Sequence, residues 1–140
     1  MEALPYVGAV IRYGYLWRDE ARAGREEPRK WRPCVILTVD RQGERIEVSV
    51  APITHTEPEA AYAIRLSGRT LQRLGLDARE PSWINAREIN LFAWRGVDVV
   101  PTADGRDHFG PIPRPLRDAT IARFRESLSA RAGGATRRDG

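Results

Sequence analysis

Three places in the 140-residue sequence hold side chains able to do chemistry. Arg32 stands before Pro33 at the entrance of the apolar run in "RKWRPCVIL", Thr54 and His55 follow "RIEVSVAPI", and Glu88 follows "WINAR". Pro33 fixes its own φ and biases Arg32 towards an extended backbone, which gives the guanidinium a defined direction. Taken singly, these are also ordinary residues: a salt-bridged strand-end arginine, a β-branched strand threonine, a loop histidine. Taken together they suit cleavage of RNA by its own 2′-hydroxyl. That reaction requires a group that draws off the hydroxyl proton, donors that hold the phosphorane, and a proton for the departing 5′-oxygen, with no metal or cofactor.

Other chemistries find little support. His55 and His108 are the only histidines and Cys34 the only cysteine, so no ligand cluster at zinc spacing exists and no metal or cofactor is expected. Cys34 lies within "PCVIL" and reads as a small buried hydrophobe. Neither a glycine-rich phosphate loop nor a G-x-S-x-G elbow is present. The formal charge is +4 and Lys30 is the only lysine, so nearly all cations are guanidinium forks suited to phosphate and to stacking on bases. With no charged-then-apolar leader and no run of 18 apolar residues, the chain reads as a soluble, cytoplasmic protein without a membrane partner. Its length predicts one domain over 1–131.

The elements that must position these groups are short. "GAVIRYGYL" alternates as a strand, with Ile11, Tyr13 and Tyr15 on one face, and "RPCVILTV" is continuous, as in a strand buried on both faces. Between them "WRDEARAGREEPRKW" reads as a long functional loop. "RIEVSVAPIT" is a third strand that Pro52 is expected to bulge or end, leaving Thr54 and His55 at a lip. "AYAIRL" reads as a strand, "SGRTLQRLGLD" as a helical turn closed near Gly75, and "SWINAREINLFAW" as a strand broken near Asn90. A helix over 115–131 is predicted to carry an apolar stripe of Leu116, Thr120, Ile121, Phe124 and Leu128. The tail 132–140, "AGGATRRDG", has too few apolar groups to order itself and is expected to be disordered. The fold class is therefore α+β, mainly β: a small curled barrel with a C-terminal amphipathic helix.

The order of these segments resembles the MazF/PemK family of toxin endoribonucleases. "GAVIRY" is similar to that family's Gly-Asp-Val strand opening, with Ala9 for the Asp; "GREEPRKWRPCVIL" resembles its first loop and Arg-Pro strand; "VAPIT" matches its strand ending in threonine. "SWINAREINLF" is similar to a later strand, with Glu88 and Asn90 where Gln and Arg are more usual and with Asn85 or Arg87 where some members place a catalytic Arg or Asp.

The resemblance, over roughly residues 6–130, implies an SH3-like barrel shared with CcdB and a metal-independent cleavage of single-stranded RNA. The products would be a 2′,3′-cyclic phosphate and a 5′-hydroxyl end. Arg32 and Thr54 would hold the scissile phosphate, and Glu88 would be the base with His55 beside it, since imidazole ordinarily titrates near neutrality. Arg29, Lys30, Trp31 and Glu26 would line the RNA approach. A homodimer held inactive by a small acidic antitoxin is also implied. The rival readings are a CcdB-like gyrase poison acting through the last helix, and a catalytically degenerate RNA-binding member of the same fold.

Overall fold

Alternate residues of the central strands serve two cores, one on each face of the sheet. The computed structural model describes residues 4–26 and 30–138. Strand β1 (Ala9–Tyr13) lies between β2 (Arg32–Gln42) on one side and the short β7 (Val99–Val100) and β8 (Gly110–Pro111) on the other. Val10, Val35 and Leu37 face one cluster, and Ala9, Ile11, Tyr13, Cys34 and Ile36 face the other. Burial on both faces is why "PCVIL" is apolar without a break.

Strand β3 (Arg45–Thr54) pairs with β2 from Arg45 to Pro52 and changes partner on its other edge. Its first half pairs with β6 (Glu88–Ala93) and its end with β5 (Ser82–Asn85), which β4 (Ala63–Leu66) extends. Pro52, which has no N–H to donate, falls where the outer partner changes. Pairing with β2 also ends there, Cys34↔Pro52 being its last pair, as expected of a proline that closes a ladder; the irregularity lies in β2, between Ile36 and Thr38, and not at Pro52. The break expected near Asn90 occurs earlier, at Ala86–Arg87, where Asn85 Oδ1 accepts from the Arg87 N–H at 3.0 Å. The strand pairing is mainly antiparallel and does not close into a barrel, so the expected mainly β fold with a C-terminal helix is present as an open, bent sheet.

Three helices complete the fold. The long loop begins with α1 (Arg18–Arg22). Helix α2 (Gly68–Leu74) is capped by Ser67, whose Oγ accepts from the Thr70 N–H, and is closed by Gly75 at φ 78°, a left-handed conformation natural to glycine. Helix α3 (Arg114–Ser129) sets Leu116, Ile121 and Phe124 against the first core. Its last turn buries Ser127 and leaves Leu128 48% exposed, so the stripe is rotated from the expected one there.

The tail corrects the expectation of disorder through residue 138. Gly134–Arg137 forms β9, parallel to β6, and the Arg138 N–H donates to the Leu91 carbonyl at 2.7 Å. The paired glycines are there for close approach: a Cβ on Gly133 would lie 2.2 Å from Ser127 Oγ and 2.7 Å from the Arg87 carbonyl. Arg138 then reaches under the sheet, pairing with Asp98 and donating to the Gly14 carbonyl at 2.9 Å and to the Tyr13 hydroxyl at 3.2 Å.

Asn90, fully buried, pins the chain between β1 and α1. Its Oδ1 accepts from the Leu16 N–H at 2.9 Å and its Nδ2 donates to the Leu16 carbonyl at 2.8 Å. Replacing Asn90 with leucine leaves both backbone groups unpaired, at about 1–3 kcal/mol each. Equilibrium urea unfolding of Asn90→Leu is expected to show a loss of about 2 kcal/mol or more; a midpoint equal to wild type would rule out the pin.

Candidate functional site

The β2–β3 register decides what meets at the sheet edge. The ladder ends at Cys34↔Pro52, and Arg32 and Thr54 each stand two residues beyond it on the two strands. Both line a cavity of about 630 Å³, together with His55, Lys30, Trp31 and Trp17. Of the residues singled out from sequence, the structure therefore brings together Arg32, Thr54, His55, Lys30 and Trp31. Glu26 is exposed and lies elsewhere, its carbonyl accepting from Arg138 at 3.4 Å. Arg29 lies outside the described residues. Glu88 does not line this cavity.

Arg32 is set for a ligand. Its Nε is buried and has no hydrogen-bond partner among the described residues, a costly state for a guanidinium N–H unless an acceptor completes it. The Trp17 ring supports the guanidinium from one side, with Cζ 5.0 Å from its centroid. Thr54 is buried, and its Oγ1 accepts from the Thr56 N–H at 3.1 Å, which leaves the hydroxyl hydrogen to be donated.

His55 has a defined tautomer when neutral. Its Nδ1 is 3.0 Å from the Pro81 carbonyl, which can only accept, so the hydrogen is assigned to Nδ1 and the lone pair to Nε2. Ser82 Oγ is also 3.0 Å from Nδ1 and fixes the ring from the same side. Asp77, on the cavity wall, is held at about 2 chiefly by the Arg79 side-chain hydrogen bonds, so the wall carries both signs of charge.

Glu88 does a different job from the one its sequence position suggested. Its Oε1 accepts from the Arg18 N–H at 2.9 Å and from the Tyr15 hydroxyl at 3.0 Å. Burial raises its pKa above the ordinary 4.5, and these two hydrogen bonds oppose the rise. Glu88 thus anchors the residues on either side of Trp17, whose ring meets Tyr15 edge-on at 5.1 Å and whose N–H donates to Glu20 Oε1 at 3.1 Å.

Trp17 is the site residue that sequence reasoning missed. Fifteen positions separate it from Arg32, and only the return of the chain brings the two into contact; the weak signal available was the Trp-x-x-Glu spacing at a helix start. Cys34 is fully buried and its pKa is pushed far up by desolvation, so it is held as a thiol within the core. Among the described residues no group of three His, Cys, Asp or Glu side chains could hold a metal ion, and no helix is long and apolar enough to cross a membrane.

Residues 15–98 match the family of PemK-like, MazF-like toxins of type II toxin–antitoxin systems. The match spans more than half of the chain and takes in every cavity residue named above, and the chain belongs to this family. A type II toxin has an antitoxin partner. No match was found among curated proteins.

The raised pKa of Glu88 has a thermodynamic sign. The native state binds its proton more tightly than the unfolded state does, so stability is lost as pH rises from about 4.5 through the raised native value. Glu88→Gln keeps an oxygen for both donors and removes the charge. Thermal unfolding from pH 4 to 8 is expected to give the variant an equal or higher Tm at neutral pH and a smaller fall in stability across that range than wild type. A variant that melts lower at pH 7 and titrates as wild type does would contradict this assignment.

Proposed function

We propose that the chain is an endoribonuclease toxin that cuts single-stranded RNA by attack of the 2′-hydroxyl on the adjacent phosphate. One observation carries the reading: Arg32, whose guanidinium holds a buried, unpartnered Nε–H, and Thr54, whose hydroxyl has a hydrogen to donate, line the same cavity from the adjoining ends of neighbouring strands. Arg32 and Thr54 would stabilise the phosphorane as negative charge builds on its oxygens. Arginine stays charged at neutral pH and serves as an electrostatic donor. The 2′-oxygen forms a bond to phosphorus, the bond from phosphorus to the 5′-oxygen breaks, and the 5′-oxygen takes up a proton. The products are a 2′,3′-cyclic phosphate and a 5′-hydroxyl end.

His55 replaces Glu88 as the base in this reading. Its Nε2 carries the lone pair when the ring is neutral, whereas the Glu88 carboxylate lies outside the cavity and is engaged with Tyr15 and Arg18. Trp31 and Lys30 on the cavity wall offer a stacking face and a phosphate contact to a flexible strand. A single toxin domain, a homodimeric assembly, a cytoplasmic site of action and a small acidic antitoxin complete the proposal. The net charge of +4 makes an acidic inhibitor electrostatically reasonable.

Digestion of single-stranded RNAs of varied sequence in EDTA tests it. Wild type is expected to give 5′-hydroxyl ends, and Arg32→Ala and Thr54→Ala each to slow cleavage by about 10²–10³-fold. His55→Ala should slow cleavage by about 10²–10⁴-fold, the usual contribution of a general base, and Glu88→Gln should keep cleaving. Intact RNA with inhibited gyrase, or RNA binding without turnover, would overturn the nuclease reading; cleavage lost in Glu88→Gln but kept in His55→Ala would return the base to Glu88.

A further inference from the structure

The indole of Trp31 is 48% exposed and forms part of the wall of two cavities. One is the cavity of Arg32 and Thr54. The other, of about 700 Å³, lies beyond Trp31 and is lined in part by the C-terminal tail. Arg25, Arg137 and Arg138 contribute cations to this second cavity, Phe92 and Tyr13 an aromatic floor, and Val97 an exposed edge. Phe92 and Tyr13 stack with their centroids 4.7 Å apart and form a firm base. Arg138 is committed to Asp98 and Gly14, and Arg137 pairs with Glu47 through two hydrogen bonds while remaining half exposed.

We propose that the second cavity is a subsite for the RNA strand next to the nucleotides at the scissile phosphate, with Trp31 as the step between the two. This rests on the nuclease reading and adds to it the path of the substrate. An indole bordering both cavities gives a single-stranded chain a stacking face as it passes from one to the other, and stacking of this kind tolerates any base. Arg25, in the loop before β2, and Arg137, on strand β9, meet the next phosphate. The family match ends at residue 98, so Arg137 comes from a part of this chain outside the matched span. Length selectivity thus comes from a segment that the catalytic cavity does not use.

Binding of a non-cleavable RNA tests the subsite apart from catalysis. A trinucleotide with 2′-deoxyribose at the scissile position, and a heptanucleotide extending it by two nucleotides on each side, are titrated calorimetrically against wild type and variants. Wild type should bind the longer RNA more tightly. Arg25→Ala/Arg137→Ala should erase about tenfold of that gain and flatten the salt dependence by roughly 0.7 in logarithmic slope per lost phosphate contact. Because Arg137→Ala also removes the Glu47 pair, Val97 supplies a second probe: it is 80% exposed, so charge can be placed there without disturbing packing. Val97→Glu should weaken and Val97→Arg strengthen heptanucleotide binding, each by about threefold, with trinucleotide binding unmoved. Equal length gains in wild type and all variants would overturn the subsite while leaving the nuclease reading intact. Failure of wild type to bind either RNA would overturn both.

Discussion

The pairing register of β2 against β3 is the constraint on which the rest of the structure depends. Its last pair, Cys34↔Pro52, leaves Arg32 and Thr54 two residues past the end of the ladder, and a slip of one residue would turn each side chain to the other face. That slip is prevented by burial on both sides: Val35 and Ala51 belong to one core, Cys34, Ile36 and Val50 to the other. The two prolines sharpen the arrangement. Pro33 holds the preceding Arg32 extended, and Pro52 marks the point where β3 leaves β6 for β5, freeing the strand end to form a cavity wall.

Strand β6 provides the second layer of control. Asn90 and Glu88 both face the chain that connects β1 to α1, the first through Leu16 and the second through Tyr15 and Arg18. Trp17 lies between those anchors, and its ring is what the Arg32 guanidinium rests on. Two polar side chains that touch no part of the cavity thereby set the direction of a group that does. Arg138, arriving from the other end of the sequence, ties the same connection at Tyr13 and Gly14.

Much of this was legible in the sequence because it follows from local pattern. The unbroken "PCVIL" run announced a strand buried on both faces, alternation in "RIEVSV" announced β3, and Ser67 and Gly75 bracketed α2. Arg32 and Thr54 were readable because each adjoins a proline-punctuated strand end. The tail was not, because "GGATR" has the composition of a linker: its glycines are required by contacts with Ser127 and Arg87, which only the folded chain brings near. The place of Glu88 outside the cavity was not legible for a related reason. A carboxylate on a strand looks the same in sequence whether it faces a cleft or accepts from a backbone N–H seventy residues upstream. Trp17 carried only the weak Trp-x-x-Glu signal of a helix start, which says nothing of Arg32 fifteen residues on.

The proposed chemistry asks that one guanidinium and one hydroxyl act on a single phosphate. Groups that stabilise the same developing charge are energetically coupled, whereas groups acting at separate places add. The most direct test is a double-mutant cycle on kcat/KM for one RNA, comparing Arg32→Ala, Thr54→Ala and the pair. The account predicts strong non-additivity, with the double variant little slower than the worse single one. Losses that simply multiply, giving a double variant slower by the product of the two, would show that Arg32 and Thr54 do not share a phosphate.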